Sequence, residues 1–205
     1  ACSESQDYLF ELKQVIQKLD LKIVSSGFDP ISKLKDVPNN PKQRYEIMTK
    51  DMPNEGRLSL DMMYRTCGTQ LNIDYNSEED FTKKFKVINS IVPISIALFA
   101  NSSIVEKKNS NYLSYRSKVW QNTSRGGLPE MFFENMNFEK YSEFAMNFPI
   151  LFMNKNNKFI SGKNYTFLDF MNGNINELNN KLPTEDDLTT HLSTIFTENR
   201  LKKYI

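Results

Sequence analysis

RLSLDMMYRTCGTQLNIDY, residues 57–75, is the stretch on which the reading of the fold turns. From Thr66 onward it alternates. Cys67, Thr69, Leu71, Ile73 and Tyr75 fall on one side of an extended chain, and Gly68, Gln70, Asn72 and Asp74 on the other, the period-2 pattern of a strand. Such a strand has a core behind it and either water or a polar site in front. Ser77 follows as a helix cap, with Glu78, Glu79 and Asp80 in the first turn, where carboxylates complement the helix dipole. Phe81, Phe85, Ile88, Ile91 and Val92 then recur at helical spacing. Pro93 predicts a kink or break, and ISIALFA (94–100), apolar all round, predicts a buried continuation.

Outward from this stretch, Leu9, Leu12, Val15, Ile16 and Leu19 predict a helix over 5–19. LKIVSS (21–26) reads as a short strand closed by Gly27, and 28–43, with Pro30, Pro38 and Pro41, as a long loop. Toward the other end, 112–121 and 138–147 read as helices separated by a loop over 122–136. Strands near 149–153 and 158–161 are joined by a turn at Asn154–Asn157, Thr166 caps FLDFM, and Thr184 caps a last helix. The sum is an α+β fold: a single domain over 1–205, mostly antiparallel sheet with helices packed on one side.

Composition narrows the function. In 205 residues, 39% hydrophobic with fifteen Phe and nine Tyr, there is enough apolar side chain for a core, which excludes disorder. A net charge of +1, from 26 basic and 25 acidic residues, gives no electrostatic case for nucleic acid or a membrane surface as partner. The apolar run Ile88–Ala100 is too short and broken to cross a bilayer. Two cysteines, Cys2 and Cys67, read as free thiols in a reducing compartment, which points to the cytoplasm. There is no phosphate-cradling Gly-rich loop, no CxxC and no HExxH. The only histidine, His191, sits beside Leu192 in a helix and reads as structural. With 20 Lys against 6 Arg, an arginine is retained where its planar fork is needed: Arg44, Arg57, Arg65, Arg116, Arg125 and Arg200.

Several stretches together resemble the glutamate–cysteine ligases of plants and proteobacteria. They are SGFDP, PKQRYEIMTKDMP, LSLDMMYRTCGTQLNIDYNSEEDFTKKFKV, PISIALFANS, YLSYRSKVW, FEKYSEFAMNFPILF and HLSTIFTENRLKKYI, in order and across almost the whole chain. The resemblance implies part of a glutamine synthetase-like carboxylate–amine ligase fold. It also implies the activity: ATP phosphorylates the side-chain carboxylate of glutamate, and the amine of cysteine attacks the acyl phosphate to give γ-glutamylcysteine. ATP and Mg2+ are the implied cofactors, since a divalent ion must neutralise the phosphates as the γ-phosphoryl leaves. Glutamate, cysteine and ATP are the implied partners.

Carried over residue by residue, Arg116 of YLSYRS matches a glutamate-binding arginine, with Tyr112 and Trp120 as walls. Arg44 of PKQRY matches a second substrate arginine, and Arg125 a nucleotide-binding one. Gln70 and Asn72 lie on the polar face of the strand that resembles the family's active-site strand, where amide oxygens can ligate magnesium. Met63 reads as pocket wall and Arg65 as structural. Three departures stand out. WQNTSRGGLP is shorter than the usual loop, Leu151 replaces a tyrosine that lines the cysteine pocket, and Gly68 stands where threonine is usual. A metal-binding glutamate strand is expected before ACSESQ and an acid–Met–Arg segment after RLKKYI, so the chain reads as the central part of a longer catalytic domain. Exposed sheet edges in such a piece predict a homo-oligomer. Two other readings stay open: a non-catalytic small-molecule-binding homologue, and a sister γ-glutamyl ligase with another amine acceptor.

Overall fold

A computed structural model describes residues 2–54, 56–156 and 158–202. In chain order the main elements are α1 (Cys2–Lys18), α2 (Gln43–Asp51), α3 (Ser59–Arg65), α4 (Glu78–Leu98), β1 (Ile104–Val105), β2 (Lys108–Asn109), α5 (Tyr115–Trp120), α6 (Phe138–Asn147), β3 (Phe152–Lys155), β4 (Lys158–Ser161), α7 (Phe167–Met171) and α8 (Glu185–Ser193). The fold is α+β, and its named strands form two antiparallel hairpins, β1–β2 and β3–β4.

Local chemistry places the helix starts where the sequence puts them. The Ser77 side chain accepts from the Asp80 N–H at the head of α4. Thr166 with Asp169, and Thr184 with Asp187, form reciprocal capping boxes at α7 and α8, each satisfying N–H groups that the first turn leaves without helical partners. Asn137 caps α6 through the Lys140 N–H.

The buried side chains gather in three clusters. Phe81 and Phe85 of α4 meet Phe132, Met136, Tyr141, Ala145 and Ile195, with the Phe85 and Phe132 rings edge-on at 5.0 Å. Burial pushes the Tyr141 hydroxyl up to about 12. Asn89, fully buried on α4, donates to the Phe132 carbonyl at 2.7 Å and accepts from Asn199 at 2.9 Å, so its amide meets its polar needs inside the core. A second cluster joins Phe28, Met52, Met62, Val119, Leu151 and Phe152. A third joins Ile150, Met153, Phe167, Phe170, Ile175 and Leu178. Successive residues of β3 therefore feed different clusters, Phe152 the second and Met153 the third, as a strand's pleat requires. The β3–β4 register pairs Phe152 with Ser161 and Lys155 with Lys158. Its turn starts at Asn156, at φ 52°, a conformation asparagine tolerates. Asn157 of the expected turn, and Lys203, Tyr204 and Ile205 of the closing RLKKYI, lie outside the described residues.

Five expectations are corrected. Residues 21–26 form no strand. They carry no regular structure, and the first pairing comes at Phe28, which makes an isolated bridge to Thr66. Residues 67–75 form no strand and pair with none among the described residues, and Leu71 is 85% exposed. Alternation specifies which face is apolar, but a strand also needs a neighbouring backbone to complete its hydrogen bonds. Of the kink or break expected at Pro93, the break does not occur, since the proline lies inside α4. The ISIALFA continuation is uncovered: Ile94, Leu98 and Phe99 are all exposed. Finally, the expected 28–43 loop gives way at Gln43 to α2, whose Ile47 and Met48 pack against the second cluster.

Candidate functional site

Four of the sequence motifs converge on one place through backbone bonds. The Gly27 N–H donates to the Asn101 carbonyl at 2.8 Å, and the Cys67 N–H donates to the Gly27 carbonyl at 3.0 Å. The Asn101 side chain donates to the Ser25 carbonyl. Ser102 bridges to Ser114, with the Tyr115 N–H donating to the Ser102 carbonyl and the Arg116 N–H to the Ser102 hydroxyl at 3.0 Å. SGFDP, YRTCG, LFANS and YLSYRS are thus laced together around the start of α5, which Ser114 caps.

Arg116 occupies a slot that these contacts make. A Cβ at Gly27 would stand 3.4 Å from Arg116 Cδ, and one at Gly68 would stand 2.9 Å from Nη2. The two glycines leave room for the guanidinium to lie against bare backbone, and a side chain at position 68 would displace it. On the same helix the guanidinium carbon sits 5.3 Å from the Trp120 ring centre, a cation–π placement. Arg116 forms no salt bridge among the described residues, and its buried Nε has no hydrogen-bond partner. A half-buried fork with an unmatched Nε has the chemistry to grip a planar anion, since a guanidinium can give a carboxylate two parallel N–H···O bonds.

The Trp120 ring meets Phe196 edge-on at 6.2 Å, which brings the segment after α8 to the same place. There the Glu198 N–H donates to the Gly127 carbonyl at 3.0 Å. The Glu198 side chain is open to water yet crowded by protein on one side. That crowding pushes its carboxyl up, and Arg116 pulls it partly back down.

A family model for glutamate-cysteine ligase family 2 matches residues 1–205. The chain belongs to that family. It is 42% identical to the chloroplastic glutamate–cysteine ligase of Nicotiana tabacum, 41% to ligase A of Oryza sativa subsp. japonica and 40% to that of Arabidopsis thaliana. Each match takes in 100% of this chain but only 40–42% of the relative, so the chain spans about two fifths of the curated relatives it matches. Their names correct the compartment: the relatives are called chloroplastic, against the cytoplasmic assignment drawn from cysteine usage. Two thiols report a reducing setting, which more than one compartment provides. Cys67 is free and exposed, and the Cys2 side chain lies outside the described residues.

Within this family member the remaining candidates separate. Met63, Trp120 and Leu151 share the second cluster, where Leu151 is 1% exposed and packs as core. Tyr112 turns from Arg116 toward its neighbours, edge-on to Tyr115 at 6.2 Å and under the Lys118 ammonium at 5.6 Å. Arg44 is exposed on α2 with its guanidinium over the Tyr45 ring, and no contact links it to Arg116 among the described residues. Arg125 is 2% exposed. It donates to the Pro149 carbonyl at 2.9 Å and to the Thr194 carbonyl at 3.4 Å, so backbone oxygens occupy its fork. Arg65 is structural: it pairs with Asp61 at 2.9 Å and lies 4.5 Å over the Phe28 ring. His191 is also structural, its Nε2 2.8 Å from the Ala145 carbonyl and its ring stacked on Phe167. Burial lowers its pKa.

Gln70 and Asn72 stand on the exposed segment between α3 and α4. They offer two neutral oxygens, and no group of three or more His, Cys, Asp or Glu that could hold a metal occurs among the described residues. A magnesium site needs carboxylates and near-octahedral oxygen donors, so these two amides do not make one by themselves. No helix among the described residues is long and apolar enough to cross a membrane. Sequence reasoning passed over Gly27 and Glu198. Both lie in quoted motifs, SGFDP and HLSTIFTENR, but what marks them is proximity to Arg116, a relation across the fold.

Proposed function

We propose that this chain supplies the glutamate-binding part of a glutamate–cysteine ligase, as a central portion of its catalytic domain. The observation that carries the reading is Arg116: a half-buried guanidinium in a two-glycine slot against Trp120, with a buried Nε that has no hydrogen-bond partner among the described residues. In this reading Arg116 holds the α-carboxylate, and the γ-carboxylate extends toward the nucleotide. ATP and Mg2+ serve the reaction as they must in any acyl-phosphate ligation, with Gln70 and Asn72 as neutral contributors beside carboxylates from outside the described residues. Met63 walls the glutamate side, and the ligase yields γ-glutamylcysteine. The relatives' names favour a plastid as its compartment.

The test is Arg116→Lys in the full-length protein, with steady-state kinetics varying glutamate and ATP separately. A carboxylate gripped by a fork keeps one bond at best on an ammonium. The lost charge-assisted bond is worth about 1.5–3 kcal/mol, so apparent glutamate affinity falls roughly ten- to a hundredfold. The charge is retained, and the KM for ATP stays nearly as before. Unchanged kinetics for glutamate would remove Arg116 from the site.

A further inference from the structure

Gly68 is a glycine that its own backbone does not require. The glycines at positive φ are Gly56, Gly127 and Gly173, and Gly68 is not among them, so other residues can adopt its conformation. It is exposed, and no packed core excludes a side chain there. What a side chain would meet first is Arg116. The three atoms nearest to a Cβ at residue 68 are Nη2 at 2.9 Å, Cζ at 3.4 Å and Nε at 3.5 Å. The guanidinium as a group, not one nitrogen, rests on the bare backbone of Gly68.

The backbones on both sides are held. Phe28 bridges Thr66, the Cys67 N–H donates to the Gly27 carbonyl at 3.0 Å, and the Thr66 hydroxyl donates to the Met62 carbonyl at 2.6 Å. The Arg116 N–H is held by the Ser102 hydroxyl at 3.0 Å, in the first turn of α5. Gly27 lines the stem of the arginine, 3.4 Å from Cδ. A Cβ at residue 68 therefore moves the one part that can yield, the flexible end of Arg116. It costs the fold little and the placement of the fork much. Threonine is usual at this position, and its Cβ would claim the same space, so the seat is a departure of this chain.

We infer that Gly68 is a positioning residue for substrate binding: its missing side chain seats the Arg116 fork, and the chain forgoes stability to keep it missing. The second half follows from chain entropy, because alanine at a compatible glycine position narrows the unfolded ensemble and stabilises the fold. The inference rests on the glutamate reading of the Arg116 site and names what sets the fork in place.

The test compares four full-length proteins: wild type, Gly68→Ala, Arg116→Lys and the double variant. Melting temperature is measured for each, with steady-state kinetics varying glutamate and ATP separately. Gly68→Ala melts at the wild-type temperature or a few degrees above it. Its KM for glutamate rises about tenfold, the worth of one charge-assisted bond of the fork, and its KM for ATP stays within about twofold of wild type. Added to Arg116→Lys, the same alanine changes the KM for glutamate by less than about twofold, because the fork it would displace is already gone. Three results overturn the inference: Gly68→Ala with unchanged glutamate kinetics, a loss that adds in full to that of Arg116→Lys, or a melting temperature several degrees below wild type, which would assign the glycine to the fold. Arg116→Lys with unchanged glutamate kinetics overturns the glutamate reading itself, a distinct result.

Discussion

Two stretches of this chain read as strands, and they end differently. Residues 149–161 turn back at Asn156 and close as the β3–β4 hairpin, whose faces enter two core clusters. Residues 67–75 alternate cleanly, yet they form no strand, and Leu71 and Ile73 are exposed. The difference is the distance to a partner. The hairpin's second strand lies one tight turn away, so closing it costs little loop entropy. The earlier segment has a helix on either side, α3 before it and α4 after, and its ladder must come from farther off. Alternation is local information. Pairing is not.

The largest test of this contrast removes the hairpin's contribution to the core. Phe152 is buried and meets Phe159 edge-on at 5.0 Å. Phe152→Ala is expected to cost about 3–5 kcal/mol, read as a shift of the denaturant midpoint; a loss no larger than that of a surface change would make the hairpin as peripheral as 67–75. A middle-sized effect comes from Gly162, just after β4. A Cβ there would come within 2.5 Å of the Ile150 side chain and 3.3 Å of its backbone carbonyl carbon. The backbone cannot yield as a flexible side-chain tip would, so Gly162→Ala is expected to lose about 1–3 kcal/mol, measured the same way. The smallest effect falls on Leu71. In this chain Leu71→Thr shifts stability by no more than about 0.5 kcal/mol. A larger loss shows that the segment is covered in solution, and the contrast with the hairpin then disappears.

The parts of the fold that were legible beforehand are those decided within a few residues. Ser77, Thr166 and Thr184 cap their helices because an N-cap needs only a side-chain oxygen and an N–H three positions on. Coverage was not legible. Ile94, Leu98 and Phe99 are as apolar as Phe81 and Phe85, and nothing in periodicity says which of them finds a neighbour. The α2 helix was masked by Pro38, Pro41 and the adjacent asparagines, whose punctuation extends no further than Gln43. The site shows the same division. Arg116 stood out because arginine is scarce and the motif around it is distinctive. Glu198 did not, because its relation to Arg116 spans the chain and exists only when folded.

Trp120 is the sole tryptophan of the 205 residues. Its indole lies under the Arg116 guanidinium, with Phe196 at its edge and Glu198 two residues beyond. The emission of an indole depends on the electric field along its ring, and here a cation held in a slot lies over that ring. An anion paired with that cation changes the field. The chain thus contains its own optical gauge: a single indole, excited selectively at the red edge where the nine tyrosines do not absorb, whose colour and yield follow any change around Arg116.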